Sequence, residues 1–90
     1  MAIQLRQICL IAHELDSTIE NLSKILGINK CFVDPGVGVY GLENTLLPIG
    51  RNFLELVVPV KEGTTGGRYL TRRGGDGGYM VICQADNKEN

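Results

Sequence analysis

Apolar and polar positions alternate along some parts of the chain and recur at helical spacing along another. Residues 3–12 nearly alternate between aliphatic and polar side chains, which is typical of a strand covered on at least one face. Between positions 19 and 26 the apolar residues follow a helical spacing, and Gly27 supplies a stop signal. Ser17 and Glu20 have the form of a capping box, so the pattern predicts a helix that opens at Ser17.

Prolines divide the middle of the chain into extended segments. Pro48 and Pro59 exclude a long helix through the two apolar runs that contain them, and Gly50 with Arg51 between the runs predicts a hairpin. The residue before Pro35 is pushed out of helical geometry, so a short strand is predicted to end at a turn there. The predicted strands after the helix are residues 30–34, 40–49, 52–60 and 79–85.

Glycine is concentrated between the predicted hairpin and the last predicted strand. Residues 61–67 therefore predict a linker, and residues 74–78 predict a glycine hinge. Between them, residues 68–73 predict a single helical turn. The order β-α-β-β-β, hinge, β belongs to the α+β class with one main helix.

A weak internal repeat predicts a second module. Residues 81–85 can be aligned with residues 8–12, so the last strand repeats the first. We expect residues 1–73 to form one module, and residues 74–90 to contain the hinge and the first strand of a second, incomplete module. A partner chain could supply the elements that such a strand still requires.

Composition and charge exclude several classes of protein. The 90 residues are 43% hydrophobic and 21% charged, which is too apolar for a disordered chain and too interrupted by charge for a membrane protein. Nine basic and ten acidic residues give a net charge of −1, without the basic excess of a nucleic-acid-binding protein. The first residues lack the basic start and unbroken apolar stretch of a signal peptide, so we expect a cytoplasmic protein.

Three cysteines are spaced too widely for a metal or disulfide framework. Cys9, Cys31 and Cys83 are odd in number, and the first and last lie inside apolar runs. Free cysteine behaves as a small buried hydrophobe, so we expect three reduced packing residues.

Two polar side chains interrupt apolar strand segments. Glu55 shares one strand face with Phe53 and Val57, and desolvating a lone carboxylate costs several kcal/mol. The sequence leaves four explanations open: a solvated cavity, a bound cation, an ion pair with Arg6 or Arg51, or a sheet face open to water. Gln7 is the matching intrusion in the first strand, where a hydrogen-bonded strand glutamine is the ordinary interpretation.

Two other features, a glycine motif and a single histidine, are weaker candidates for a functional site. The glycines at 36, 38 and 41 match a dinucleotide-binding pattern, but no helix is predicted after them, which favours a turn or bulge between strands. His13 is the single histidine, so one copy of the chain cannot build a site with two histidines and a carboxylate. We expect His13 to lie at a surface turn.

Residues 5–28, 40–60 and 67–82 resemble the vicinal-oxygen-chelate superfamily, the group of glyoxalases, bleomycin-resistance proteins and extradiol dioxygenases. The resemblance covers almost the whole chain. It implies a glyoxalase-like βαβββ module with a mixed, curved sheet, followed by the first strand of a second module.

The resemblance also implies a site. In this superfamily a divalent metal is held by residues on the first and fourth strands of each module, which correspond here to Gln7 and Glu55. Glu55 is then either a metal ligand or the catalytic carboxylate that moves a proton. The third ligand, usually a histidine, corresponds to Met80, whose thioether is a poor ligand for a hard ion.

Two activities follow from the resemblance. The first is half of a divalent-metal or small-molecule site in a metal-dependent lyase or isomerase, acting on a substrate with neighbouring oxygens. The alternative is a metal-free, small-molecule-binding protein of the bleomycin-resistance type. Either would be completed by a second module or by a homodimer, whereas a third interpretation from the strands alone is a β-rich interaction module.

Overall fold

A computed structural model describes residues 2–29 and 31–86, which form one mixed sheet with two α-helices. None of the helices in these two ranges has the length and apolar character needed to cross a membrane. The elements in chain order are β1 (Ala2–Ile11), α1 (Asp16–Leu26), a 3-10 helix (Pro35–Tyr40), β2 (Leu42–Ile49), β3 (Asn52–Pro59), α2 (Thr65–Arg73) and β4 (Gly77–Asp86).

The four strands lie in the order β2-β3-β1-β4. β1 is parallel to β3 and antiparallel to β4, and the hairpin of β2 and β3 is antiparallel. This arrangement confirms the predicted α+β class and its mixed sheet. It also places the first strand beside the strand that carries Glu55, because β1 inserts between β3 and β4.

The sheet has two differently covered faces. On one side, which we call the helix face, Ala12, Leu56 and Val58 are buried against residues that include Ile19 of α1 and Leu15, which precedes that helix. On the opposite side, which we call the groove face, a second buried cluster consists of Cys9, Ile11, Val57 and Leu70, the last contributed by α2.

The N-cap of the first helix lies two residues before Ser17, the N-cap that the predicted capping box requires. Its N-cap residue is Leu15, which makes no side-chain capping bond, and the Ser17 hydroxyl instead donates to Glu14 at 3.0 Å. The predicted capping box is therefore wrong. Glu20 accepts a hydrogen bond from Lys24 one turn further along the helix, while the predicted stop at Gly27 is confirmed by its left-handed φ of 68°.

The strand predicted at residues 30–34 is reduced to one bridging pair. Phe32 and Leu46 exchange backbone hydrogen bonds of 2.9 and 2.7 Å, whereas Lys30 lies outside the described residues. Pairing stops because Pro35 opens the 3-10 helix and the Asp34 side chain accepts from the amide of Gly36.

The region predicted as a linker contains the start of a second helix. α2 opens at Thr65, with the Thr64 hydroxyl accepting from the amide of Gly67 at 2.9 Å. Glycine here serves close packing: a Cβ on Gly66 would lie 3.1 Å from Leu42 and 3.3 Å from Ile11. The helix can therefore approach the sheet closely, which outweighs the low helix propensity of glycine.

Only one of the three cysteines is a packing residue. Cys9 is 2% exposed in the groove-face cluster, whereas Cys31 and Cys83 are exposed. The prediction of three buried thiols is wrong for the latter two, because Cys31 precedes the single bridging pair and Cys83 lies on β4 at one end of the four-strand sheet.

Candidate functional site

The two polar intrusions recognised in the sequence meet on the groove face. β1 and β3 run in parallel with Gln7 opposite Phe53 and Cys9 opposite Glu55, so Gln7 and Glu55 are diagonal neighbours. The amide nitrogen of Gln7 donates to Oε1 of Glu55 at 2.5 Å. Strand pairing therefore brings together two residues that are far apart in the sequence.

A third polar residue, Asn44, completes this network and was missed by the sequence analysis. Its Nδ2 donates to Oε2 of Glu55 at 2.8 Å, and its Oδ1 accepts from the backbone amide of Asp34 at 3.0 Å. Asn44 shares a strand face with Leu42 and Leu46, so the same parity argument that identified Glu55 could have found it.

Glu55 lies between two cavities of the groove face. One has a volume of about 640 Å³ and reaches from Cys9 and Glu55 to the start of α2. The other, of about 530 Å³, lies towards Gln7 and Phe53. Both cavities are lined by Glu55, so we call them together the groove. Its walls include Val37 of the 3-10 helix and Ile82 of β4.

This geometry excludes two of the four explanations left open for Glu55, the open sheet face and the arginine pair. The residue is 6% exposed, so the groove face is not simply open to water. Among the side chains that the structure describes, no ion pair involves Glu55, and the Arg6 guanidinium donates to Gln84 instead. The carboxylate is therefore held by two neutral amides beside a cavity and is not paired with an arginine.

The thiol of Cys9 remains protonated beside this carboxylate. Burial, together with the negative charge of Glu55, raises the pKa of Cys9 to about 12, while the thiol lies 3.7 Å from the backbone carbonyl of Leu10, to which it donates. A thiol needs to be deprotonated to bind a metal ion or act as a nucleophile. Cys9 is consequently a neutral wall of the groove at physiological pH.

Gln7 and Glu55 offer the type of ligand atom that a divalent ion prefers, but two ligands are too few to hold such an ion. The side-chain oxygens of Gln7 and Glu55 are hard ligands of the type that such ions prefer. Within residues 2–29 and 31–86, no cluster of three or more histidine, cysteine, aspartate or glutamate residues could hold an ion. Met80, which the resemblance makes the third ligand, lines the same groove with a soft thioether, so Gln7 and Glu55 are the two oxygen ligands that the resemblance leaves to this chain.

The other sequence candidates lie away from this network. His13 is exposed at the end of β1, as expected, and its backbone amide donates to Asp76 at 3.0 Å. For the three glycines of the dinucleotide-like pattern the sequence predicts a turn or bulge between strands, but the structure places them in and directly after the 3-10 helix. Gly36 and Gly38 lie within the 3-10 helix, and Gly41 caps it with a φ of 71°. This geometry differs from a strand–loop–helix phosphate site.

Comparison with known proteins supports the fold. Neither a family model nor a curated protein matches the sequence. Solved structures do match, among them a hypothetical protein from Bacillus halodurans C-125, with a TM-score of 0.84 at 17% identity over 97% of this chain and 62% of that one. A methylmalonyl-CoA epimerase in complex with methylmalonyl-CoA and NH4+ matches with a TM-score of 0.80 at 21% identity, over 98% and 64% of the two chains.

The epimerase from Mycobacterium tuberculosis gives a similar result, with a TM-score of 0.77 at 20% identity over 96% of this chain and 57% of that one. At these identities the likeness establishes the fold. The chain therefore has the glyoxalase-like βαβββ architecture that the vicinal-oxygen-chelate resemblance implied. It spans less than two thirds of the length of each of these three structures.

Proposed function

We propose that this chain forms half of a small-molecule site in a glyoxalase-like isomerase, with Gln7 and Glu55 as its ligands to a divalent ion. The observation that carries the proposal is the Glu55 carboxylate, which is buried in the groove, oriented by two amides and without a cationic partner among the described residues. A carboxylate held in this way is ready to bind an ion or accept a proton. When bound, the ion would polarise a carbonyl oxygen of the substrate.

The reaction class that fits is proton transfer next to a carbonyl group. The groove wall is mainly apolar around Glu55, with Val57 and Ile82 among its residues, and would exclude water from the reacting carbon. Gln7 and Asn44 fix the direction of the carboxylate oxygens. The epimerase structures with the same fold make methylmalonyl-CoA a reasonable first substrate to test.

The remaining ligands would come from a second module or a second copy. We propose that residues 1–73 are the first module and that residues 74–90 contain the hinge and the first strand of the next. β4 is paired with β1 at one end of the described sheet, where further elements can be added. Light scattering after gel filtration should give a mass above the 9.8 kDa of one chain, and a monodisperse species of that mass would contradict a homodimer. The proposal places this activity in the cytoplasm.

Titration with Mn²⁺ tests the ion site directly. Calorimetry should show binding by the unchanged protein and binding about tenfold or more weaker in Glu55→Gln. Glu43→Gln is the matched control, because Glu43 is an exposed carboxylate on β2 outside the groove, and it should bind like the unchanged protein.

A second measurement separates the two roles of Glu55. Exchange of the C2 hydrogen of methylmalonyl-CoA with deuterated water reports proton transfer. Because the proposal makes Glu55 a ligand, Mn²⁺ binding and exchange should fall together in Glu55→Gln. Loss of exchange with most Mn²⁺ binding retained would contradict the ligand role and assign Glu55 as the base. The absence of Mn²⁺ binding and exchange in the unchanged protein would refute the isomerase proposal.

A metal-free binding protein is the second candidate. Both carboxylate oxygens of Glu55 already accept hydrogen bonds from amide N–H groups, and Met80 occupies the position of the third ligand. This candidate predicts that the purified protein retains a small molecule, detectable by native mass spectrometry, and that chelators do not release it.

A further inference from the structure

Asn44 uses both ends of its side-chain amide. The residue is 2% exposed, which makes it one of the most deeply buried polar side chains in the described ranges. Its Oδ1 accepts from the amide of Asp34, and its Nδ2 donates to Oε2 of Glu55. Rotating the amide by 180° would place a donor against the Asp34 amide and an acceptor against a carboxylate, so its orientation is set by both partners.

The Asp34 bond fastens one end of a segment that borders the groove. We call residues 34–41 the strap. At its other end the carbonyl of Gly41 accepts from the amide of Val60 at 2.9 Å. Between these ends, Val37 is half-buried and lines both cavities, whereas Val39 and Tyr40 are 83% and 70% exposed. The strap is thus fixed at two points, and one of them is Asn44.

We propose that Asn44 is a positioning residue that couples the Glu55 carboxylate to the docking of the strap. The coupling has a direct physical basis, because one amide group bonds the carboxylate at one end and the first residue of the strap at the other. A change at Glu55 that removes its acceptor releases the amide to rotate, which weakens the bond to Asp34. Occupancy of the groove and the position of Val37 are therefore linked.

The part of this inference that concerns ligands rests on the proposed function, but the coupling itself does not. A buried asparagine with a purely structural role would stabilise the strap whatever happens at Glu55. A coupling residue transmits a change at Glu55 to the backbone amide of Asp34. The two roles therefore differ in the effect of a Glu55 substitution on the strap.

Hydrogen exchange at the Asp34 amide tests the coupling without any ligand. In Glu55→Ala the exchange rate of this amide should rise about tenfold relative to the unchanged protein, after correction for any change in global stability. Glu43→Ala is the matched control and should leave the rate unchanged. An Asp34 rate in Glu55→Ala equal to that of the unchanged protein would overturn the coupling.

A double substitution keeps the test decisive if Glu55→Ala does not fold. In Asn44→Asp combined with Glu55→Gln, the carboxylate at position 44 can still accept from the Asp34 amide. The new amide at position 55 can donate to that carboxylate, which reverses the direction of the original hydrogen bond. The hydrogen-bond network is preserved while the charge moves to the neighbouring strand. In Asn44→Asp alone two carboxylates face each other, so protection of the Asp34 amide should fall, and in the double substitution it should return to within about threefold of the unchanged protein. An equal loss in the single and double substitutions, or no loss in Asn44→Asp alone, would overturn the coupling.

Mn²⁺ binding then connects the coupling to the site. Asn44→Leu removes both hydrogen bonds at similar volume and should weaken Mn²⁺ binding about tenfold. Thr45→Val, a buried neighbour on the opposite face of β2, should leave binding unchanged. Equal binding by Asn44→Leu and the unchanged protein would overturn the positioning role. If the unchanged protein does not bind Mn²⁺, the ion proposal fails and the exchange experiments alone decide the coupling.

Discussion

On the helix face of the sheet, Leu56 and Val58 belong to an apolar cluster that includes side chains of α1, whereas on the groove face the neighbouring residue of the same strand is Glu55. Both environments are buried, since Leu56 is 0% and Glu55 is 6% exposed. The difference lies in what satisfies the buried group. Leu56 requires only contact, whereas Glu55 requires two oriented hydrogen-bond donors.

This contrast shows how one strand can serve stability and chemistry at once. Alternate side chains of β3 point to opposite faces, so a polar network can occupy one face without interrupting the apolar packing of the other. Substitutions on the helix face should therefore change stability alone, and substitutions on the groove face should change properties that stability does not report.

The largest effect is expected from Leu56→Ala on the helix face. Deleting this fully buried side chain leaves a cavity beneath α1 and should lower the free energy of unfolding by about 2–5 kcal/mol, measured by urea denaturation. Ile25→Ala on the outer side of α1, where the residue is 78% exposed, should change it by less than about 0.5 kcal/mol. Weaker Mn²⁺ binding by the folded fraction of Leu56→Ala would contradict the claim that substitutions on the helix face change stability alone.

The groove face should make stability depend on alkaline pH. Because folding raises the pKa of Cys9 from 9.0 to about 12, the unfolded chain releases this proton first, and stability is lost as pH rises from about 9 to about 12. The contribution is at most about 1.4 kcal/mol per pH unit. Urea denaturation at several pH values should show a shallower dependence in Cys9→Ala, while Cys83→Ala, which removes an exposed thiol, should follow the unchanged protein.

A smaller effect on stability is expected at Gly41, the end of the strap that is bonded to Val60. Gly41 has a φ of 71°, and an added Cβ would lie 2.7 Å from the side chain of Thr64, so Gly41→Ala should cost about 1–3 kcal/mol. Gly38→Ala adds a Cβ with nothing within 4 Å and should be close to neutral. Thermal melts of the two variants compare them directly, and equal melting points would show that the strap is not held at Gly41.

The smallest effect is expected at the start of α1. A serine that caps a helix contributes about 1 kcal/mol, but the Ser17 hydroxyl bonds the exposed Glu14 side chain instead. Ser17→Ala should therefore change the melting point by only a degree or two in a domain of this size. A melting point lower by five degrees or more in Ser17→Ala would instead show that Ser17 caps the helix.

The alternation of side chains along the strands predicted two of the three residues of the polar network. The helix signals predicted the bounds of the two helices less well. Glu55 and Gln7 could be recognised because a polar residue inside an apolar strand has few satisfactory environments. Asn44 carried the same signal, but its neighbours Glu43 and Thr45 are also polar, which hid the intrusion. Its partnership with Glu55 depends on which strands are adjacent, and residue spacing does not reveal that.

The prediction for the region of α2 was wrong for a different reason. Gly66 and Gly67 lower helix propensity, and the sequence therefore predicts a linker where α2 begins. What stabilises the helix is its contact with the sheet, through the close approach of Gly66 and the burial of Leu70. Tertiary contacts of this kind become visible only when the partner surface is known.

The position of β1 between β3 and β4 has a consequence for the order of assembly. β2 and β3 can pair as soon as both exist, because only the short turn at Gly50 and Arg51 separates them. β1 is synthesised before either of its partners, and both of its edges stay unpaired until β3 and β4 have left the ribosome. Its insertion closes long loops, so folding should be limited by this late step, with an apolar first strand exposed to aggregation until then.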